Sequence, residues 1–125
     1  VIVVVALVVH LYNHYSFPKV GAKIPTGDYC FGMDISKYQP KIKWEDVKIL
    51  INADGVTTLI EEDVKETREI SYVFIKATEG TSHTDKHFNR HWKNAKKVGI
   101  RRGAYHFFRS SKDAEKQAKH FIKTV

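Results

Sequence analysis

Cysteine is almost missing from this chain. Cys30 is the single one among 125 residues, so no internal disulfide can form and a small disulfide-stapled architecture is excluded. The chain also lacks length: 125 residues can bury one core and are too few for two domains. No apolar run reaches the roughly 20 residues of a membrane-crossing helix. Acidic residues are in deficit, 14 against 21 basic ones, for a net charge of +7. That balance favours anionic partners in general. The basic residues are spread along helix-like sequence without a nucleic-acid-binding motif, so no nucleic-acid partner is expected.

Val1 to Leu11 is almost wholly apolar and free of turn residues, and Tyr12, Tyr15 and Phe17 follow it like interfacial aromatics. Eleven such residues read as the tail of a signal peptide or signal anchor. A buried β-strand is the alternative, since valine favours strands. The start at Val1 rather than Met is expected to reflect missing sequence at the front. Residues 1–17 are therefore assigned to export or membrane attachment. Residues 18–28, with Pro18, Gly21, Pro25 and Gly27, form a linker, and residues 29–125 form the domain proper.

Three segments in that domain share one design. Gly32-Met33-Asp34-Ile35-Ser36 places a carboxylate at the end of a short apolar strand. Tyr72 to Ala77 is a β-rich strand followed by Thr78-Glu79-Gly80, and Arg102 to Phe107 is a third strand rich in aromatics. Helix-like sequence follows each. Trp44, Val47, Leu50 and Ile51 recur at helical spacing after the first. Phe88, Trp92 and Ala95 recur after the second, ending at Gly99, a natural position beyond a helix C-cap. After the third come Ala114, Ala118, Phe121, Ile122 and Val125, with Ser110 or Ser111 as cap and Asp113 and Glu115 in the first turn. Val56 to Ile70 reads as a surface excursion. The fold class is α/β: three strand–helix units of roughly 30 residues, the size of parallel crossover units. A closed eight-stranded barrel needs on the order of 200 residues or more, so the three units amount to part of one.

Ligands meet such folds at the carboxyl ends of the strands. Alternation along the first strand sets Gly32, Asp34 and Ser36 opposite Phe31, Met33 and Ile35, which points Asp34 away from the helices. A structural Asp capping the next turn is the alternative. The same parity groups Gly103, Tyr105 and Phe107, where glycine leaves space and two aromatics can stack on a sugar-like face. Lys76 and Thr78 share a face, Glu79 lies on the loop beyond, and Lys76 is expected to pair with Asp34 or Glu79. His83, His87 and His91 fall four apart, but no His-Glu-x-x-His pattern or acidic ligand cluster accompanies them. A solvated histidine face is expected, with no metal and no cofactor.

Taken in order, Asp34-Ile35-Ser36-Lys37-Tyr38-Gln39-Pro40, Phe74-Ile75-Lys76-Ala77-Thr78-Glu79-Gly80 and Gly103-Ala104-Tyr105-His106-Phe107-Phe108 resemble the lysozyme-type muramidases of glycoside hydrolase family 25. The resemblance covers about Phe31 to Val125. It implies the first three β/α units of a modified TIM-type barrel that cleaves the β-1,4 bond between N-acetylmuramic acid and N-acetylglucosamine in peptidoglycan. It carries onto Asp34 a catalytic carboxylate, onto Glu79 a candidate active-site glutamate, and onto Tyr105 and Phe107 the lining of the sugar groove. Lys76 and Tyr38 join these as candidate substrate contacts. An exported protein acting at the cell wall follows, monomeric when complete.

Two departures stand out. Val56 to Ile70 is longer than the family's usual link. The family's Asp-x-Glu at the end of a fourth strand, which supplies the main acid, is expected beyond Val125. Asp113-Ala114-Glu115 has that spelling but falls in the first turn of a helix, where residues two apart face different ways. Glycoside hydrolysis needs a proton donor and a second group that stabilises or attacks the cation. Within this chain Glu79 is the candidate to substitute as the acid, and on these residues alone the set is incomplete. The competing expectation is a non-catalytic peptidoglycan-binding remnant.

Overall fold

A computed structural model describes residues 21–125. The signal or anchor segment expected at residues 1–17, and the start of the linker, lie outside the described residues. Among the described residues no helix is long and apolar enough to cross a membrane.

The chain forms two compact units. One comprises residues 21–25 with Leu50–Glu66; the other comprises Thr26–Ile49 with Thr67–Val125. The smaller unit is a set of turns closed by backbone bridges between Lys23 and Val56 and between Ile51 and Thr57. Asn52 organises its tightest turn, its side-chain oxygen accepting from the backbone of Asp54 and Val56 at 3.0 Å each. Part of the expected surface excursion is thus an organised substructure, while Thr67–Ile70 opens a strand.

The larger unit is a mixed α/β layer. Its strands are β1 (Phe31–Ile35), β3 (Glu66–Glu79), β4 (His83–Thr84) and β5 (Arg101–Phe107), and its helices are α1 (Phe88–Lys97) and α2 (Ala114–Thr124). The centre is β3, paired in parallel with β1 on one side and β5 on the other. The short β4 returns antiparallel onto its end. Parallel neighbours must be joined by crossovers, and α1 provides one between β3 and β5.

Between β1 and β3 the expected helix does not form. Only a single 3-10 turn, Trp44–Asp46, precedes the strand β2 (Lys48–Ile51). The spacing of Trp44, Val47, Leu50 and Ile51 fits a helix, but Val47, Ile49 and Ile51 are β-branched and favour extended backbone. No side chain caps the turn at Lys43, so a short helix there has nothing to offset its nucleation cost.

The core lies between the sheet and its helices. Ile35, Trp44, Val73, Ile75, Ala77, Phe88 and Ala95 are buried together, with Met33, Trp92, Ile100, Ala104 and Phe121 packed against them. Helix α1 ends as expected: Gly99 adopts φ +78° and donates to Lys96 O at 3.0 Å. His91 departs from the expected solvated face. It is fully buried, edge-on to Trp44 at 5.9 Å, because the burial stripe of α1 runs through Phe88, His91 and Ala95. Helix α2 also turns differently. Asp113, rather than Ser110 or Ser111, caps it by accepting from Lys116 N at 2.7 Å. Its buried residue is Gln117, while Ile122 stays 76% exposed.

Candidate active site

The site face of the sheet is the one turned away from the core. Met33 and Ile35 pack inward, so Gly32 and Asp34 face outward from β1. In register with them on β3 are Tyr72 and Phe74, and Phe74 in turn lies opposite Gly103 on β5. The rings lie over the glycines. A Cβ on Gly32 would sit 2.0 Å from the Tyr72 ring, and one on Gly103 would sit 2.7 Å from the Phe74 ring. The space that Gly103 leaves is therefore filled by Phe74, a half-exposed residue with no place in the sequence-based site.

Asp34, Tyr105 and Phe107 come to this one face on strands that flank β3 rather than touch each other. Asp34 is exposed and makes no hydrogen bond or ion pair with the described residues. The Tyr105 phenol is pushed up from its ordinary pKa, first by burial, then by the negative charges of Asp34, Asp85 and Glu79. It therefore remains a protonated donor beside them.

Further along, the β3–β5 ladder slips by one residue between Lys76 and Thr78. Strict alternation puts Lys76 and Thr78 on one face; the slip separates them. Thr78 turns to the helix side, where its hydroxyl meets His106 Nδ1 at 2.7 Å. Glu79 turns to the site side and pairs with Lys76. A bulge of this kind re-aims one side chain without breaking the strand.

Arg109 completes the cluster, and sequence reasoning missed it. Its Nε donates to Glu79 Oε1 at 2.9 Å, a second guanidinium nitrogen reaches the same oxygen, and its Cζ lies 4.8 Å from the Phe107 ring centroid. The Lys76 ammonium stands 4.9 Å from that ring. Phe107 is thus contacted by two cations that also hold Glu79. Hydrogen bonds from Lys76 and Arg109 pull the Glu79 carboxyl down from 4.5 to about 2. The only signal for Arg109 was its place two residues beyond the aromatic strand end.

Tyr38 does not join the sheet face. It is 75% exposed in the turn after β1, with the Lys37 ammonium 5.4 Å from its ring. That turn is held by Asp85, a second residue the sequence did not reveal. Asp85 is 3% exposed and accepts from Lys37 N at 2.7 Å and His87 N at 2.9 Å, while its own N–H donates to Ala77 O at 2.8 Å. One buried carboxylate therefore ties the exit of β1 to the start of α1. Asp113 and Glu115 take no part in the face: the first caps α2 and the second pairs with Lys119 at 2.6 Å.

Comparison with known proteins places the chain in a family. The chain is 32% identical over 117 residues to the uncharacterized protein YegX of Escherichia coli (strain K12), covering 94% of this chain and 38% of that one. It is 35% identical over 91 residues to Lysozyme M1 of Streptomyces globisporus, covering 72% of this chain and 25% of the lysozyme. Its fold superposes on a family 25 glycosyl hydrolase from Bacillus anthracis with a TM-score of 0.59 and 33% identity, over 83% of this chain and 41% of that one. The chain thus spans well under half the length of the relatives it matches. With residues 33–125 also matching the family described as Glycosyl hydrolases family 25, the chain belongs to that family.

Proposed function

We propose that these residues form the first part of a peptidoglycan muramidase, cleaving the β-1,4 bond between N-acetylmuramic acid and N-acetylglucosamine. The β1–β3–β5 layer with its helices is read as the first portion of a modified β/α barrel. Peptidoglycan is the proposed substrate and the cell wall the site of action, reached by export through residues 1–17. Residues 29–125 are proposed as the catalytic-domain portion.

The observation that carries this reading is Asp34. A carboxylate at a strand end, without a hydrogen-bond or ion-pair partner among the described residues and on the same face as a protonated tyrosine, is available to a ligand. Positive charge develops on the sugar ring during glycosidic cleavage. Asp34 would stabilise that charge or orient the substrate's acetamido group, while Tyr105 and Phe107 offer aromatic surface to the sugars.

Glu79 is proposed as a fixed anion rather than the acid. A carboxyl held near 2 by two cations is ionised at neutral pH and has no proton to give. Its backbone also lies five residues past Phe74, the register partner of Asp34. At about 3.3 Å per residue the two backbones are on the order of 15 Å apart along the sheet. The proton donor is therefore proposed to come from the part of the family domain outside these residues.

The test is release of reducing ends from purified cell walls by a family-length protein carrying this segment. Asp34→Asn should lower the rate at least ~100-fold, the scale of losing an electrostatic or acid–base contributor. A variant as active as its parent would sink the assignment.

A further inference from the structure

Strand β5 ends at Phe107, so the backbone of Arg109 has left the ladder and needs partners elsewhere. Gln117 on α2 supplies them. Its Oε1 accepts from Arg109 N at 2.9 Å, and its Nε2 donates to Arg109 O at 3.0 Å. The same amide donates to Lys112 O at 3.2 Å and meets His106 Nε2 at 3.1 Å. Gripping both the N–H and the C=O of one residue fixes the orientation of its peptide planes as a β-bridge does. Gln117 is 1% exposed, and all four of its hydrogen-bonding positions are used.

We propose that Gln117 is a positioning residue: its two-point grip on the Arg109 backbone, made on the helix side of the sheet, sets the Arg109 guanidinium against Glu79 and Phe107 on the opposite face. The grip stands on geometry alone, while the role of that face in holding sugar rests on the muramidase reading above. The side chain that Arg109 sends to the site carries charge, and its backbone is anchored by a neutral amide that competes with nothing there.

The network also fixes its protons. Both hydrogens of the Gln117 amide go to carbonyls, so Oε1 must accept from Arg109 N–H and from His106 Nε2. The neutral His106 ring is then the Nε2–H tautomer, with Nδ1 accepting from the Thr78 hydroxyl at 2.7 Å. Thr78 is wholly buried, so that hydroxyl has no water to turn to instead.

Nuclear magnetic resonance of the 125-residue chain tests each part. In the unaltered protein the imidazole nitrogens of His106 should report the Nε2–H tautomer; the Nδ1–H form would overturn the network. The Glu79 side-chain carboxyl should titrate near 2, with Lys76 and Arg109 as the charged groups facing it. Gln117→Met, similar in size and without the amide, should move that midpoint up by about a unit, in the same direction as Arg109→Met. Gln117→Asn, whose amide falls one methylene short of Arg109, gives the same reading if the methionine variant does not fold. A folded Gln117 variant with the Glu79 midpoint unmoved overturns the proposal. Binding of an N-acetylglucosamine oligomer separates the two layers. A moved midpoint with unchanged sugar affinity sinks the sugar-binding role of the face and leaves the grip standing.

Discussion

Lys76 and Glu79 are three residues apart on one strand and still meet on the same face of the sheet. Strict alternation forbids this, since positions three apart point to opposite faces. The slip in the ladder between Lys76 and Thr78 supplies the missing half-turn. Its consequence is chemical: the glutamate reaches two cations, which themselves lie against the Phe107 ring, rather than the helix side of the sheet.

That pairing makes stability depend on pH in acid. Glu79 titrates at about 2 in the folded chain against an ordinary 4.5. A carboxyl with a depressed folded pKa contributes stability that is fully present above its unfolded value and is lost as pH falls through the folded one. Thermal unfolding midpoints of the parent should therefore drop between about pH 4.5 and 2. Glu79→Gln should be less stable at neutral pH and show a flatter profile across that window. Parallel profiles for the two proteins would mean the ion pairs do not hold Glu79 in solution.

Asp34 is expected to behave in the opposite way. It has no hydrogen-bond or ion-pair partner among the described residues, so Asp34→Asn should leave the unfolding midpoint nearly unchanged. The change should nevertheless be felt at Tyr105, whose phenol is pushed up first by burial and then by the Asp34 charge. Removing that charge should lower the Tyr105 titration midpoint, readable from phenolate absorbance. A Tyr105 midpoint that does not respond would separate the two residues.

Much of the layout of the candidate face was legible in the sequence because it follows from alternation on short strands. Asp34 opposite Met33 and Ile35, and Tyr105 with Phe107, need only a period of two and an apolar inner face. What alternation cannot encode is a bulge, so Glu79 reads as a loop residue and Thr78 as the facemate of Lys76. Hydrophobic periodicity also fails where burial is polar. In α2 the apolar series selects Ala118, Ile122 and Val125, yet these are exposed and Gln117 is buried. A glutamine enters the interior there because four hydrogen bonds await it, and no apolar pattern records those bonds. Asp85 is hidden for the same reason. The family relationship, by contrast, rests on three runs in order and was legible outright.

Asp85→Ala should be the most disruptive single change near the site. It would strand the Lys37 and His87 amides, each of which now donates to the buried carboxylate. An unsatisfied buried donor costs about 1–3 kcal/mol, so a loss of that order or more is expected. Amide hydrogen exchange should accelerate first in residues 36–39, the turn that carries Tyr38 away from Asp34. Uniform acceleration across the sheet would instead make Asp85 a general core residue.

His91 supplies the last test, because its burial is poorly compensated. Among the described residues neither ring nitrogen makes a well-formed hydrogen bond, and the neighbouring Trp44 indole N–H lacks one as well. Burial is the main cause that pushes the His91 pKa below its ordinary value, with the Arg90 charge next; Asp85 and the Gln39 backbone act the other way. An imidazole with a depressed folded pKa contributes no pH-dependent penalty above about 6.5, and costs stability as pH falls below it, because the unfolded chain takes up the proton first. His91→Leu removes both orphaned nitrogens while keeping an apolar side chain of similar bulk beside Trp44. Replacing unpaired buried polar atoms with apolar ones is close to neutral or stabilising. The variant should therefore match or exceed the parent near pH 7 and pull ahead as pH drops from about 6.5 to 5, measured by denaturant midpoints. A variant that loses more than about 1 kcal/mol at pH 7 would show that His91 holds a partner, such as a bound water shared with Trp44, whose hydrogen bonds outweigh the relief.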